Sequence, residues 1–150
     1  MAISRGAGTE IIRSALFRGV DSTVTNLIIG VQYHIYTVLS IVVHADNVET
    51  AGNWVKCSLA GYDSKAGTTD STIHIFQNDL TRYETFVWND KFSFNGYEPA
   101  DFASGGLTIA ADQDKLADQD SGVSQKLYIA TEHADDDIDV VITYIDQNNA

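Results

Sequence analysis

Thirty-nine of the 150 residues are branched at Cβ (14 Ile, 12 Val, 13 Thr), against only eight Leu. Branching restricts χ1 and suits a pleated surface better than a helix, so this chain is expected to be built almost wholly of strands. The order of the residues agrees. Through Tyr33-His34-Ile35-Tyr36-Thr37-Val38-Leu39-Ser40-Ile41-Val42-Val43-His44-Ala45 the odd positions are the richer in apolar side chains. Period-2 alternation of that kind is the mark of a half-buried strand, here a long one. From Thr85 to Phe94 the even positions Phe86, Trp88, Phe92 and Phe94 form one face, and Asp90 interrupts it. A bend or bulge is therefore expected near Asn89-Asp90. Ile138, Val140, Ile142 and Tyr144 alternate in the same way near the end.

Further strands are expected at 9–17, Thr25–Ile29, 54–61, 71–76, 107–111 and Lys126–Thr131, with one short helical segment at 111–117 or a turn at 99–103. About eight or nine strands spaced by turns, without long helical patterns between them, predict an all-β fold: an antiparallel β-sandwich, jelly-roll-like. The domain reading is an N-terminal arm over 1–13 and one sandwich domain over 14–150. Two strands are apolar on both faces, because Val38 and Val42 oppose the Ile35/Leu39/Ile41 face and Val141 and Ile145 oppose the Ile138/Val140/Ile142 face. A two-sheet sandwich covers only one face of each sheet. A second apolar face must meet either a covering loop or another subunit. Two such strands favour the subunit, so Val38, Val42, Val141 and Ile145 are expected at an interface.

The net charge of −12 is uneven. The last fifty residues carry two basic and eleven acidic side chains, whereas the first twenty carry Arg5, Arg13 and Arg18 against Glu10 alone. Such a basic arm on an acidic body can dock on an acidic neighbour, which adds Arg5, Arg13 and Arg18 to the expected interface. The acidity argues against nucleic acid, whose phosphates call for Lys and Arg. No apolar run is long enough for a membrane helix, and the start lacks the apolar core of a secretory signal. Cys57 is the single cysteine, so no internal disulfide is possible.

Candidate chemistry is sparse. Asp112, Asp114, Asp118 and Asp120 place alternate carboxylates in a loop ending at Gly122, the hard-oxygen array that Ca²⁺ prefers. Counted as an EF-hand it fails, with Leu116, Ala117 and Val123 where oxygen, Gly and Glu belong. Asp135, Asp136, Asp137 and Asp139 read as a solvated turn that discourages edge pairing. His34, His44, His74 and His133 show no metal-binding spacing, and Cys57 lies mid-strand as a small hydrophobe. There is no nucleophile elbow, and Gly6-Ala7-Gly8 is not a phosphate loop because no strand precedes it. No enzymatic activity is expected. Trp54, Tyr62, Trp88 and Tyr97 are the aromatics available to a glycan platform, although alternation assigns Trp88 to the core.

With these strands placed, the segments 5–14, 34–41 and 85–92 resemble small virion structural proteins of tailed bacteriophages, above all jelly-roll decoration (cement) proteins of the capsid. The resemblance implies a homo-oligomer, a trimer, bound to the major capsid protein at the virion surface after assembly in the host cytoplasm. It implies no catalytic residue and a role in clamping coat subunits together. The competing expectation is a glycan- or receptor-binding β-sandwich module of a tail or surface, with a Ca²⁺-stabilised acidic loop.

Overall fold

Each alternating segment becomes a strand, and every pairing is antiparallel. The computed structural model describes residues 8–62, 71–99, 110 and 122–149. Among them are β1 (Thr9–Val20), β2 (Thr25–Ile29), β3 (His34–Asn47), β4 (Trp54–Tyr62), β5 (Ser71–Asp79), β6 (Thr85–Trp88), β7 (Phe92–Asn95), β8 (Tyr97–Pro99), β9 (Gly122–Ser124), β10 (Lys126–Thr131) and β11 (Asp137–Asn148). Sheet I has the order β1-β11-β3-β6, with β7 also on β3; sheet II has the order β2-β10-β4-β5; β8 and β9 form a separate ribbon. The expected strand at 107–111, the helical segment at 111–117 and the turn at 99–103 lie wholly or largely outside the described residues.

The chain passes back and forth between the sheets, so the opening strands lie beside the closing ones: β1 on β11 and β2 on β10. This is the strand order of a jelly roll. An Asx turn makes the first crossing. Thr23 N–H donates to Asp21 Oδ1 at 2.7 Å, and Thr131 N–H holds the Asp21 carbonyl at 2.9 Å. At one end of the sandwich the backbones of Gly30, Gly96 and Gln125 interlock, Gly30 N–H bonding the Gln125 carbonyl at 2.7 Å and Gln125 N–H the Gly96 carbonyl at 2.8 Å. A Cβ on Gly96 would run into the Val31 backbone, which is why glycine stands there.

Between the sheets lie Ile41, Val43, Ile138, Val140 and Ile142 from sheet I and Val55, Cys57, Leu59, Leu127 and Ile129 from sheet II, all at most 1% exposed. Each such aliphatic chain contributes about 1.5–3 kcal/mol of burial. The bend expected at Asn89-Asp90 is present, separating β6 from β7, and both strands pair with β3. Trp88 faces inward and stacks on Phe76 at 5.2 Å, as its alternation predicts.

Val38 departs from expectation. It is fully buried in the core and is not an interface residue. Along β3 the partners step from Tyr144↔Val38 to Thr143↔Ser40, leaving Leu39 as an extra residue. This β-bulge reverses the parity, so Tyr36 and Val38 point inward before it and Ile41, Val43 and Ala45 after it. The arm boundary also moves. Residues 9–13 are part of β1, paired with β11 from Thr9↔Asn148 onward, while residues 1–7 lie outside the described residues.

Candidate functional site

The outward side of sheet I is where the sequence leaves an uncovered requirement. Registers across four strands place its residues in rows. Leu16, Val141, Val42 and Val87 are cross-strand neighbours in one continuous apolar row. Two residues along lies the row Ser14, Thr143, Ser40, and beyond it the row Ile12, Ile145, Thr37, Ser93. Ile12 is 71% exposed, Leu16 52% and Val87 55%. No described segment covers them, and a band this wide is the kind of patch that marks a contact surface.

Four of the hydroxyls in the band are joined in two pairs. Ser14 Oγ and Thr143 Oγ1 share a hydrogen bond at 3.0 Å, and Thr37 Oγ1 and Ser93 Oγ another at 2.9 Å. Within each pair one hydroxyl donates to the other, so covering them costs less than drying two unpaired hydroxyls, although the accepting hydroxyl's own proton still needs a partner. Charge appears only at the ends of the rows. At one end Arg18 meets Asp139 at 3.4 Å, and His44 bonds Thr85 at 2.7 Å; at the other stand Glu10 and Gln147.

Of the expected interface residues, Val42, Val141, Ile145 and Arg18 share this face. Arg13 lies on the opposite side of β1, where its Nε reaches Asp146 at 3.4 Å while His34 Nδ1 meets the same carboxylate at 2.7 Å. Arg5 and the carboxylates Asp112, Asp114, Asp118 and Asp120 lie outside the described residues. Ile12, Leu16 and Val87 were not among the expected residues. Their signal was present, since β1 and β6 also carry apolar side chains at both parities.

The acidic run before β11 divides into two roles. Asp136 is 3% exposed and is not a solvated turn residue. Its Oδ1 accepts from Glu49 N–H at 2.8 Å and Asn53 Nδ2 at 3.1 Å, and its Oδ2 from His133 N–H at 3.0 Å. Burial alone would raise its pKa, but these bonds together outweigh it and hold the carboxyl below its ordinary value. It thereby ties the β3–β4 connection to the β10–β11 connection. Asp137 and Asp139 instead group with Asp46, with carboxylate oxygens within 4.8 Å of one another. A hydrogen bond with Asp139, then burial and the Asp139 charge, raise the Asp46 pKa. Oxygen donors so spaced suit a hard cation.

Other groups with chemical potential stand apart. Ser58 Oγ and His74 Nδ1 are 2.7 Å apart on the outer side of sheet II, with no carboxylate recorded against the imidazole. Cys57 is sealed in the core, where burial, opposed by a backbone bond from Ser58, pushes its thiol up to about 12. A shallow depression of about 460 Å³ lies among Val48, Ala51, Gly52, Asp79, Leu80, Thr81 and Arg82. Beside it Tyr83 is 69% exposed at φ 69°, with the Arg82 guanidinium 4.8 Å from its ring.

No known protein family matches the chain, and no curated protein matches it in sequence. Among solved structures it is similar to a Bacillus endospore appendage from a family of disulfide-linked pili, with TM-score 0.43 and 8% identity over 100% of this chain and 97% of that one. It is also similar to the T13 particle of infectious bursal disease virus, with TM-score 0.42 and 10% identity over 99% of this chain and 37% of the viral one. The VP2 subviral particle of that virus gives TM-score 0.42 and 12% identity, over 99% and 40%. The chain thus spans well under half the length of the viral chains. Likeness at this level leaves function to be argued from the residues.

Proposed function

We propose that this chain is a structural subunit of an assembled particle, acting through subunit contacts and without catalysis. The apolar row Leu16–Val141–Val42–Val87 on the outer face of sheet I carries the reading. A side chain such as Leu16, half exposed in the single chain, gains its burial energy only in an assembly. The pre-paired hydroxyls beside it suit a face that is dry in use.

In finer terms the reading is a decoration protein on a tailed-phage capsid, a trimer bridging coat subunits at the virion surface. Support comes from the jelly-roll order, the uncovered face and the sequence resemblance. Contacts of standard size, roughly 1,600 Å² each, give firm retention when repeated over a shell. The test is co-purification with intact capsids. Leu16→Glu combined with Val87→Glu is expected to abolish retention while leaving the circular dichroism spectrum unchanged; full occupancy by that variant overturns the reading. The arm is tested by deleting residues 1–7, because deletion to residue 13 would remove part of β1. Loss of particle binding by a folded 1–7 deletion is the expected result.

The exposed Tyr83 and Arg82 beside the depression at the β5–β6 loop favour a second reading, a glycan-binding module. A saccharide interaction that is lost in Tyr83→Ala would establish it.

A further inference from the structure

On β1 and β11 the sheet I face is symmetric about its centre, while on β3 and the β6–β7 edge Thr37 and Ser93 stand opposite Val42 and Val87. Take the hydroxyl row Ser14–Thr143 as the midline. Two residues to one side stand Ile12 and Ile145, and two residues to the other Leu16 and Val141, so apolar side chains flank the midline equally. Four residues out on β1 the ends carry opposite charge, Glu10 on one side and, on the other, Arg18, which within its own chain meets Asp139 at 3.4 Å. A twofold axis lying across the strands over the midline sets β1 against its own copy, running antiparallel. It places Ile12 over Leu16, Ile145 over Val141 and Glu10 over Arg18 of the second chain, each pair occurring twice.

We infer that the occupant of this face is a second copy of the same chain, packed sheet to sheet in an isologous antiparallel pair. This deepens the structural reading above and rests on it, since it names the partner of the same face. Three observations favour a copy over an unrelated partner. First, the inversion sets Glu10 over Arg18. A twofold along the strands would instead turn β1 over the β6–β7 edge and leave Glu10 at the level of Asn95 and Arg18 at that of Thr85, with no opposite charge for either. Second, a chain of net charge −12 repels its own copy except where the contact is neutral, and the three central rows carry no charged residue. Third, the size suffices. Four strands ~4.8 Å apart and nine residues at ~3.3 Å each present roughly 500 Å² in projection per copy, about the 1,000 Å² in total that a specific interface requires.

Aligned sheets pack about 30° off parallel, which leaves the central rows in register and displaces the ends by a few ångströms, within reach of an Arg side chain. The pair rests on the structural reading but stands in place of its trimer, since in a threefold contact a patch meets a different patch and not itself.

The experiment is light scattering and sedimentation of the purified full chain, without particles. The wild type is expected at twice its 16.4 kDa. Glu10→Arg and Arg18→Glu, each alone, set like charges together and are expected to weaken the dimer about tenfold or more. An equimolar mixture of the two is expected to regain wild-type affinity, since each chain then supplies the charge the other needs. A mixture no tighter than the separate variants overturns the antiparallel arrangement. A wild type that stays monomeric while Leu16→Glu abolishes capsid retention overturns the second copy as partner and leaves the structural reading standing. A dimer untouched by Leu16→Glu overturns this face as the contact.

Discussion

The two outer faces of the sandwich obey the same alternation and are made differently. Across sheet II the outward rows read Asn26–Tyr128–Ser58–His74, Ala130–Lys56–Gln77 and Lys126–Ala60–Thr72. Its polar groups are engaged locally, Ser58 with His74 at 2.7 Å and the Lys56 ammonium over the Trp54 ring at 4.3 Å. Ile29, 57% exposed, stands at that face beside Lys126, an isolated exposure that any protein surface tolerates. Sheet I carries instead a neutral aliphatic band with charge pushed to its ends. Both sheets need one apolar face to close the core, so the second apolar face of sheet I has no partner among the described residues. The proposed contact rests on that difference.

The largest expected effect comes from putting charge on the two faces in turn. Leu16→Glu should weaken self-association about 100-fold or more, as burial of an unpaired carboxylate at an interface centre costs about 3 kcal/mol. Thr72→Glu on sheet II should leave it unchanged. Equal losses from both substitutions, read by sedimentation, would erase the contrast between the faces.

Next comes Asp136→Ala, which separates stability from association. It leaves the Glu49 and His133 amides without their acceptor, so urea denaturation should show a loss of about 2–3 kcal/mol while the folded protein still pairs. The same group predicts an acid limb. Its pKa is lowered by folding, so its contribution is complete above the unfolded value of about 3.9 and disappears as pH falls through the lower folded value. Wild type should therefore lose stability below about pH 4 more steeply than Asp136→Asn.

A smaller pair tests inside against outside on one strand. Val38→Ala should cost about 2 kcal/mol and Val42→Ala under about 0.5 kcal/mol in the monomer, although the two lie four residues apart. Similar costs would mean that the parity reversal in β3 is absent. The smallest expected effect is that of a chelator, which should leave the melting temperature of the whole chain unmoved. A drop would assign a hard cation to the Asp46, Asp137 and Asp139 group or to the Asp112–Asp120 loop.

Much of this architecture was legible in the amino-acid order. The strands Thr25–Ile29 and Lys126–Thr131 were readable to the residue, as short apolar runs bounded by polar and turn residues. The two-sided strands pointed to an outer apolar face, and Val42, Val141 and Ile145 share one. What was hidden depends on partners far along the chain. A bulge changes no residue's type, so nothing in the order around Leu39 marks where β3 turns over, and Val38 looked like an outward residue. Asp136 looks the same as its neighbours Asp135 and Asp137, and only the amides brought to it from residues 49 and 133 make it a buried tie. Strand order is a property of cross-chain pairing, which periodicity does not contain.

The pairing of the first strand with the last has a mechanical consequence. Gly8 N–H bonds the Asn148 carbonyl, so the two ends of the described chain leave the body side by side at the Glu10 end of the sheet I face. Tension applied between them would peel β1 from β11 one hydrogen bond at a time, the weakest way to load a pair of strands. Load spread across the broad sheet faces meets many bonds and packed side chains at once. The domain is therefore sturdy when its faces carry the force and frail when its ends do.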